Sequence, residues 1–143
     1  EAVELEFSDP ARAASWRGYH DRCRDLPVQD GLYTCGAGLT AGNISPGGTL
    51  TPCLLAMQPA ADVRDAPFEA GWRDVIPAVR SLTPGKHYRC NSCERRAVCG
   101  LCPAFFALES GAADVCSAYL CELGAARLER LEHPGVAKAG GGA

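Results

Sequence analysis

Residues 90–106 read CNSCERRAVCGLCPAFF, which places four thiols, Cys90, Cys93, Cys99 and Cys102, within thirteen positions. Cys23, Cys35, Cys53, Cys116 and Cys121 bring the total to nine cysteines in 143 residues. A lone buried cysteine is usually inert packing, but nine, four of them in one tight run, need a chemical reason. The count is odd, and the front of the chain, EAVELEF, has neither the basic nor the apolar region of a secretory signal. Both features argue against a disulfide-paired secreted domain and for a reducing, cytoplasmic setting, where clustered thiols more often hold a metal than each other. The missing initiator Met suggests a piece of something longer.

Spacing alone leaves three readings open. Disulfides inside the run would close strained two-residue loops. Zinc would suit two Cys-x₂-Cys pairs forming a Cys₄ tetrahedron, but zinc ribbons put roughly 15–20 residues between their pairs, and here five intervene. A single zinc would also leave five cysteines without a use. Iron–sulfur chemistry needs one thiolate per iron of a [4Fe–4S] cube, so two cubes would take eight of the nine. Three sulfurs of a short loop can reach three corners of a cube, and the fourth must come from elsewhere. That geometry predicts interleaved ligands, with the last cysteine of the run serving the other cluster.

The remaining composition is that of an ordinary globular chain: 47 % apolar, 22 % charged, net charge −3. No basic field points to nucleic acid, and no stretch approaches the roughly 20 apolar residues of a membrane span. The length suits one domain with its own core. AVELEF alternates and predicts a short strand; the segment after it predicts a helix with Asp9 as N-cap, Pro10 at N1 and Cys23 near its end. GLYTCGAG and TLTPC read as strands, with a Pro-Gly-Gly turn at 46–48 between them. DAPFEAGWRDVIPAVRSL reads as a helix with Phe68, Trp72 and Val75 or Ile76 on one face and a break or kink at Pro77. PAFFALES reads as a short helix stopped by Gly111. AYLCELGAARLERLEH reads as an amphipathic helix on Leu120, Leu123, Leu128 and Leu131. The expected fold is α+β: a small antiparallel sheet with three to four helices, organised around two metal clusters. Residues 1–22 are expected to be a lead-in strand and helix, 23–132 the cluster-binding domain, and 133–143 a disordered tail.

The cysteine ladder carries a resemblance. Cys35 is followed by twelve residues, Gly48, four residues and Cys53; then come Cys90-NS-Cys93-ERRAV-Cys99-GL-Cys102-PA and a later YLC at Cys121. This resembles the SPASM domain, the C-terminal auxiliary-cluster domain of radical S-adenosylmethionine enzymes, over about residues 23–128. The family often has three residues in the last gap of the run, where this chain has Gly100 and Leu101. The resemblance implies two [4Fe–4S] clusters. Cys23, Cys35, Cys53 and Cys102 would hold the first, with Cys23 as its fourth ligand. Cys90, Cys93, Cys99 and Cys121 would hold the second. Cys116 would be the spare, and the rival assignment exchanges it with Cys121. Lys86, Arg89, Arg95 and Arg96 flank the second site and would offset its negative charge. His20, His87 and His133 are lesser metal candidates, and Trp16 and Trp72 read as core contacts.

The catalytic half of such enzymes carries a Cys-x₃-Cys-x₂-Cys loop that binds S-adenosylmethionine. No cysteine of this chain is followed by another four positions on, and a TIM-like barrel needs about 200 residues or more. The resemblance therefore implies an auxiliary domain for electron transfer and substrate positioning. Its partners would be a radical S-adenosylmethionine catalytic domain and a peptide or protein substrate. The alternative is a zinc-stabilised binding module with no redox role.

Overall fold

The alternating stretch at the front does not form a strand. In the computed structural model, which describes residues 2–134, Ala2–Ser8 is a helix, α1. Val3 and Phe7 stand four residues apart, one turn of a helix, and both turn inward: Val3 is buried and Phe7 packs against the Val98 core. A strand would have put Leu5 on the same face, whereas here it is 66 % exposed. Helix α2 (Pro10–Cys23) begins as its sequence predicts. Extended Asp9 accepts the Ala11 N–H at 2.9 Å through its side chain, and Pro10 fills the first helical position.

Strands β1 (Asn43–Ile44), β2 (Thr49–Thr51) and β3 (Ala61–Asp62) form one antiparallel sheet in the order β1-β2-β3, with Asn43 opposite Thr51 and Leu50 opposite Ala61. The Pro-Gly-Gly turn closes the first hairpin, where the Gly48 N–H donates to the Ser45 carbonyl at 2.9 Å. Two-residue β3 is too short to leave an alternating signal in the sequence. The strand expected over GLYTCGAG does not form. The chain coils instead, and the amides of Leu39, Thr40 and Ala41 all donate to the Gly36 carbonyl. Gly38 holds this coil with φ +65°, and a Cβ there would stand 2.5 Å from Val79 Cγ1.

Helix α3 (Phe68–Arg80) buries Gly71, Val75 and Val79, while Trp72 is half-buried with Phe68 stacked on it at 5.6 Å. The apolar face is thus turned toward Gly71 from the expected one, and Phe68 lies at its exposed margin. Pro77 does not end the helix. Its side is exposed, so water can satisfy the carbonyl its missing N–H leaves, and fully buried Val79 anchors the turn beyond it. Short 3₁₀ turns at Cys90–Ser92 and Glu94–Ala97 carry the cysteine run. Helix α4 (Pro103–Ser110) stops at Gly111 with φ +80°, and α5 (Ala118–Glu132) follows. The fold is α+β, with five α-helices among the described residues, one more than the upper expectation, and a three-stranded antiparallel sheet. Among the described residues no helix is long and apolar enough to cross a membrane.

The chain forms two compact units. The helical unit takes residues up to Val28, residues 92–101 and the chain from Ala118. Its core is Ala97, Val98 and Leu131, with Phe7, Trp16, Cys23 and Leu128 packed on them. Arg127 of α5 fastens three segments of this unit. It donates to both Glu6 carboxylate oxygens, at 2.9 and 2.7 Å, and to the Val98 carbonyl at 3.0 Å, and lies 4.4 Å over the Trp16 ring. Residues 1–22, read from sequence as a lead-in, are thus part of the unit that α5 completes. The sheet unit takes residues 29–91 and 102–117. Its core joins Leu32, Tyr33, Ala37, Ala56, Val79 and Ala104, with Cys53, Tyr88, Cys102 and Ala113 against it. Of the tail expected at 133–143, His133 and Pro134 are described, and the His133 N–H prolongs the α5 ladder to the Glu129 carbonyl at 2.9 Å. The rest lies outside the described residues.

Candidate metal centre

None of the nine cysteines is in a disulfide. The sheet unit holds three thiols from three separate segments, two of which, Cys53 and Cys102, pack against the core that contains Tyr33. Cys35 lies in the glycine coil, Cys53 just past β2, and Cys102 at the N-cap of α4. Burial pushes the Tyr33 hydroxyl above its usual pKa, and the charges of Cys53, Cys102 and Cys35 push it further. All three sulfurs are therefore within electrostatic reach of Tyr33. The Ala56 N–H donates to Cys53 Sγ at 3.2 Å, and the Arg80 guanidinium donates to the Cys35 carbonyl at 3.1 Å. At the N-cap of α4 the Cys102 side chain makes no capping hydrogen bond, and the positive end of the helix dipole lies beside it.

The helical unit gathers a second set. Cys93 and Cys99 flank the Glu94–Ala97 turn, and Cys121 lies in the first turns of α5. Burial raises the Cys99 thiol's pKa first, followed by the charges of Cys93 and Cys121. Arg95 sits among them. Its guanidinium reaches the Cys121 carbonyl at 3.5 Å. A cation here offsets the charge of several thiolates. Of the basic residues expected at this site, Arg95 is thus placed among the thiols, while Arg96 donates to the Arg24 and Leu26 carbonyls. Arg89 donates to the Lys86 and Tyr88 carbonyls at 2.7 and 3.1 Å in the sheet unit.

Gly124 sets how closely α5 approaches this loop. A Cβ built there would stand 2.6 Å from Cys99 Cβ and 3.0 Å from Cys99 Cα. Gly124→Ala is expected to cost about 1–3 kcal/mol for the displaced backbone, against a gain of about 1 kcal/mol in helix propensity. Net destabilisation in urea melts, with faster alkylation of Cys99, checks this; unchanged stability and reactivity would show that the approach tolerates a methyl group.

Cys23, expected with Cys35, Cys53 and Cys102, lies in the other unit. It ends α2, packs on Ala97, Val98 and Leu131, and accepts a hydrogen bond from Tyr19. Cys90 opens the 3₁₀ turn Cys90–Ser92 and groups with the sheet unit, where its neighbour Asn91 donates to the Gln29 and Gly31 carbonyls at 2.6 and 2.9 Å. Cys116 is exposed. His87 and His133 are exposed, and His20 lies 3.6 Å from Asp21.

Among the described residues, no three Cys, His, Asp or Glu side chains close into a grip on one metal ion. A tetrahedral Cys₄ zinc site draws its sulfurs onto a single ion, so the thiols do not stand as a formed site of that kind. A cube gives each thiolate its own iron and spreads the sulfurs wider. The all-thiol donor sets suit such a soft, multi-iron group. Tyr33, Tyr19 and Gly124 were not singled out in the sequence. The two tyrosines precede Cys35 and Cys23 by two and four residues, but proximity of that kind carries no signal without the fold. Compared with known proteins, the chain matches no family model, no curated protein and no solved structure.

Proposed function

We propose that this chain is an auxiliary iron–sulfur domain of the SPASM kind, holding two [4Fe–4S] clusters and serving a radical S-adenosylmethionine enzyme that modifies a peptide or protein. The observation that carries the reading is the sorting of the cysteine run. Cys102, its last member, falls in one compact unit with Cys35 and Cys53, as does Cys90, while Cys93 and Cys99 fall in the other with Cys121. A run that divides between two sulfur sets is what two cubes require.

When bound, a cube with four thiolate ligands supplies one-electron transfer without an open iron. The chain's own part is to hold and screen it. Cys35, Cys53 and Cys102 offer thiolates from three segments, so folding preorganises them. The Ala56 N–H donates to the Cys53 sulfur at 3.2 Å, and the Arg95 guanidinium reaches the Cys121 carbonyl at 3.5 Å. Buried Leu32, Ala37 and Ala104 lie in the core against which Cys53 and Cys102 pack and limit water on that side.

Anaerobic reconstitution with iron and sulfide, followed by metal and acid-labile sulfide analysis, tests this. About eight irons with matching sulfide per chain are expected, with an absorbance band that bleaches on reduction. One or two zincs with no sulfide would instead establish a zinc-stabilised binding module.

A further inference from the structure

The helical unit holds a fourth thiol near the set of Cys93, Cys99 and Cys121. Cys23 occupies the last turn of α2, which packs on both the Glu94–Ala97 turn and α5. Cys23 packs against the core of Ala97, Val98 and Leu131, and Ala97 and Val98 lead directly into Cys99. On the far side of Cys99, Gly124 brings α5 and hence Cys121 close. Four thiols, from α2, both ends of one 3₁₀ turn, and α5, are thus gathered in one unit. None of Cys35, Cys53 and Cys102 belongs to that unit.

We infer that Cys23 is a thiolate of the second site, with Cys93, Cys99 and Cys121, and does not serve the site of Cys35, Cys53 and Cys102. This rests on the iron–sulfur reading above. It changes what the sites can do. The second site becomes tied to α2 as well as to α5, so its loading locks both helices to the cysteine loop. The first site loses the fourth ligand that the sequence assigned to it from Cys23.

Two experiments on the full chain test the inference. In a Cys35→Ser/Cys53→Ser/Cys102→Ser background, anaerobic reconstitution should load about half of the wild-type iron and sulfide. Adding Cys23→Ala, which keeps small apolar packing, should then lose iron and change the electron paramagnetic resonance signal of the reduced protein. Cys23→Asp, which supplies an oxygen ligand, should retain more iron than the alanine variant, with a shifted signal. A merely packing role predicts the reverse order. Unchanged iron and signal in the alanine variant would overturn the assignment.

The second experiment maps protected thiols by alkylation and mass spectrometry in a Cys93→Ser/Cys99→Ser/Cys121→Ser variant loaded with iron and sulfide. Cys23 should become alkylated while Cys35, Cys53 and Cys102 stay protected; Cys23 protected alongside those three would also overturn the assignment. A chain that takes up no iron and sulfide in either background refutes the iron–sulfur reading itself, and this inference with it.

Discussion

Stripping iron and sulfide from the reconstituted chain should abolish its cooperative unfolding transition. The segments that carry the thiols have little else to hold them. Residues 24–42 contain no helix or strand, the cysteine run has only two short 3₁₀ turns, and the sheet strands are two or three residues long. A folded domain of this size has about 5–15 kcal/mol of net stability. Binding of structural metal contributes on the order of 10 kcal/mol, by the example of zinc-finger sites, so its loss removes a term as large as the whole margin. Near-ultraviolet circular dichroism and limited proteolysis should show the cysteine loops opening after chelation under oxidising conditions, with α5 retaining part of its helical signal. A metal-free chain with an unchanged sharp thermal transition would separate folding from cluster binding.

Arg127→Ala is the second large effect. The side chain is 11 % exposed and its Glu6 partner 26 %. Truncation leaves a half-buried carboxylate without its cation and the Val98 carbonyl without its donor, and removes the cation from the Trp16 face. Removing one partner of a buried pair costs 3–5 kcal/mol; the partial exposure of Glu6 places this case at about 3 kcal/mol. Urea denaturation should show the loss, and Glu6→Gln should reproduce part of it. The ion pair also gives the protein a pH dependence. The hydrogen bond from Arg127 holds the Glu6 carboxyl below its ordinary value of 4.5, outweighing burial, with the Arg127 charge adding to the shift. A depressed carboxylate contributes stability that is present above its unfolded value and lost as pH falls through its folded one. Wild-type stability should therefore decline as pH falls from about 4.5, and Glu6→Gln should flatten that decline. An equal slope in the variant would place the acid sensitivity elsewhere.

What could be read from the sequence was what local chemistry decides. Asp9 with Pro10 marks the start of α2, Gly111 marks the end of α4, and the leucines of α5 repeat at the helical period. Each signal lies within one turn of the residue it governs. α1 was misread because Val3 and Phe7 share a face in both periods, and only the core beneath them leaves Leu5 outside and chooses the helix. The stretch 31–38 looked like a strand, and Leu32, Tyr33 and Ala37 in it are indeed buried, but the backbone bonds that follow return to the Gly36 carbonyl instead of to a partner strand. For the cysteines, spacing suggested that the run divides, but it carried no information about Cys23. That residue's neighbours, Ala97, Val98 and Leu131, are more than seventy positions away in the chain.

The helical unit is interrupted twice, and its last segment begins only at Ala118, after the sheet unit has ended at Ser117. Synthesis runs from the N-terminus at about 5–20 residues per second, so a nascent chain can finish the sheet unit while α1 and α2 still lack α5. During that interval Glu6, Trp16 and the Val98 carbonyl have no Arg127 to meet. Assembly on the ribosome is thus ordered by the connectivity: the second sulfur set can close only when the final helix has emerged.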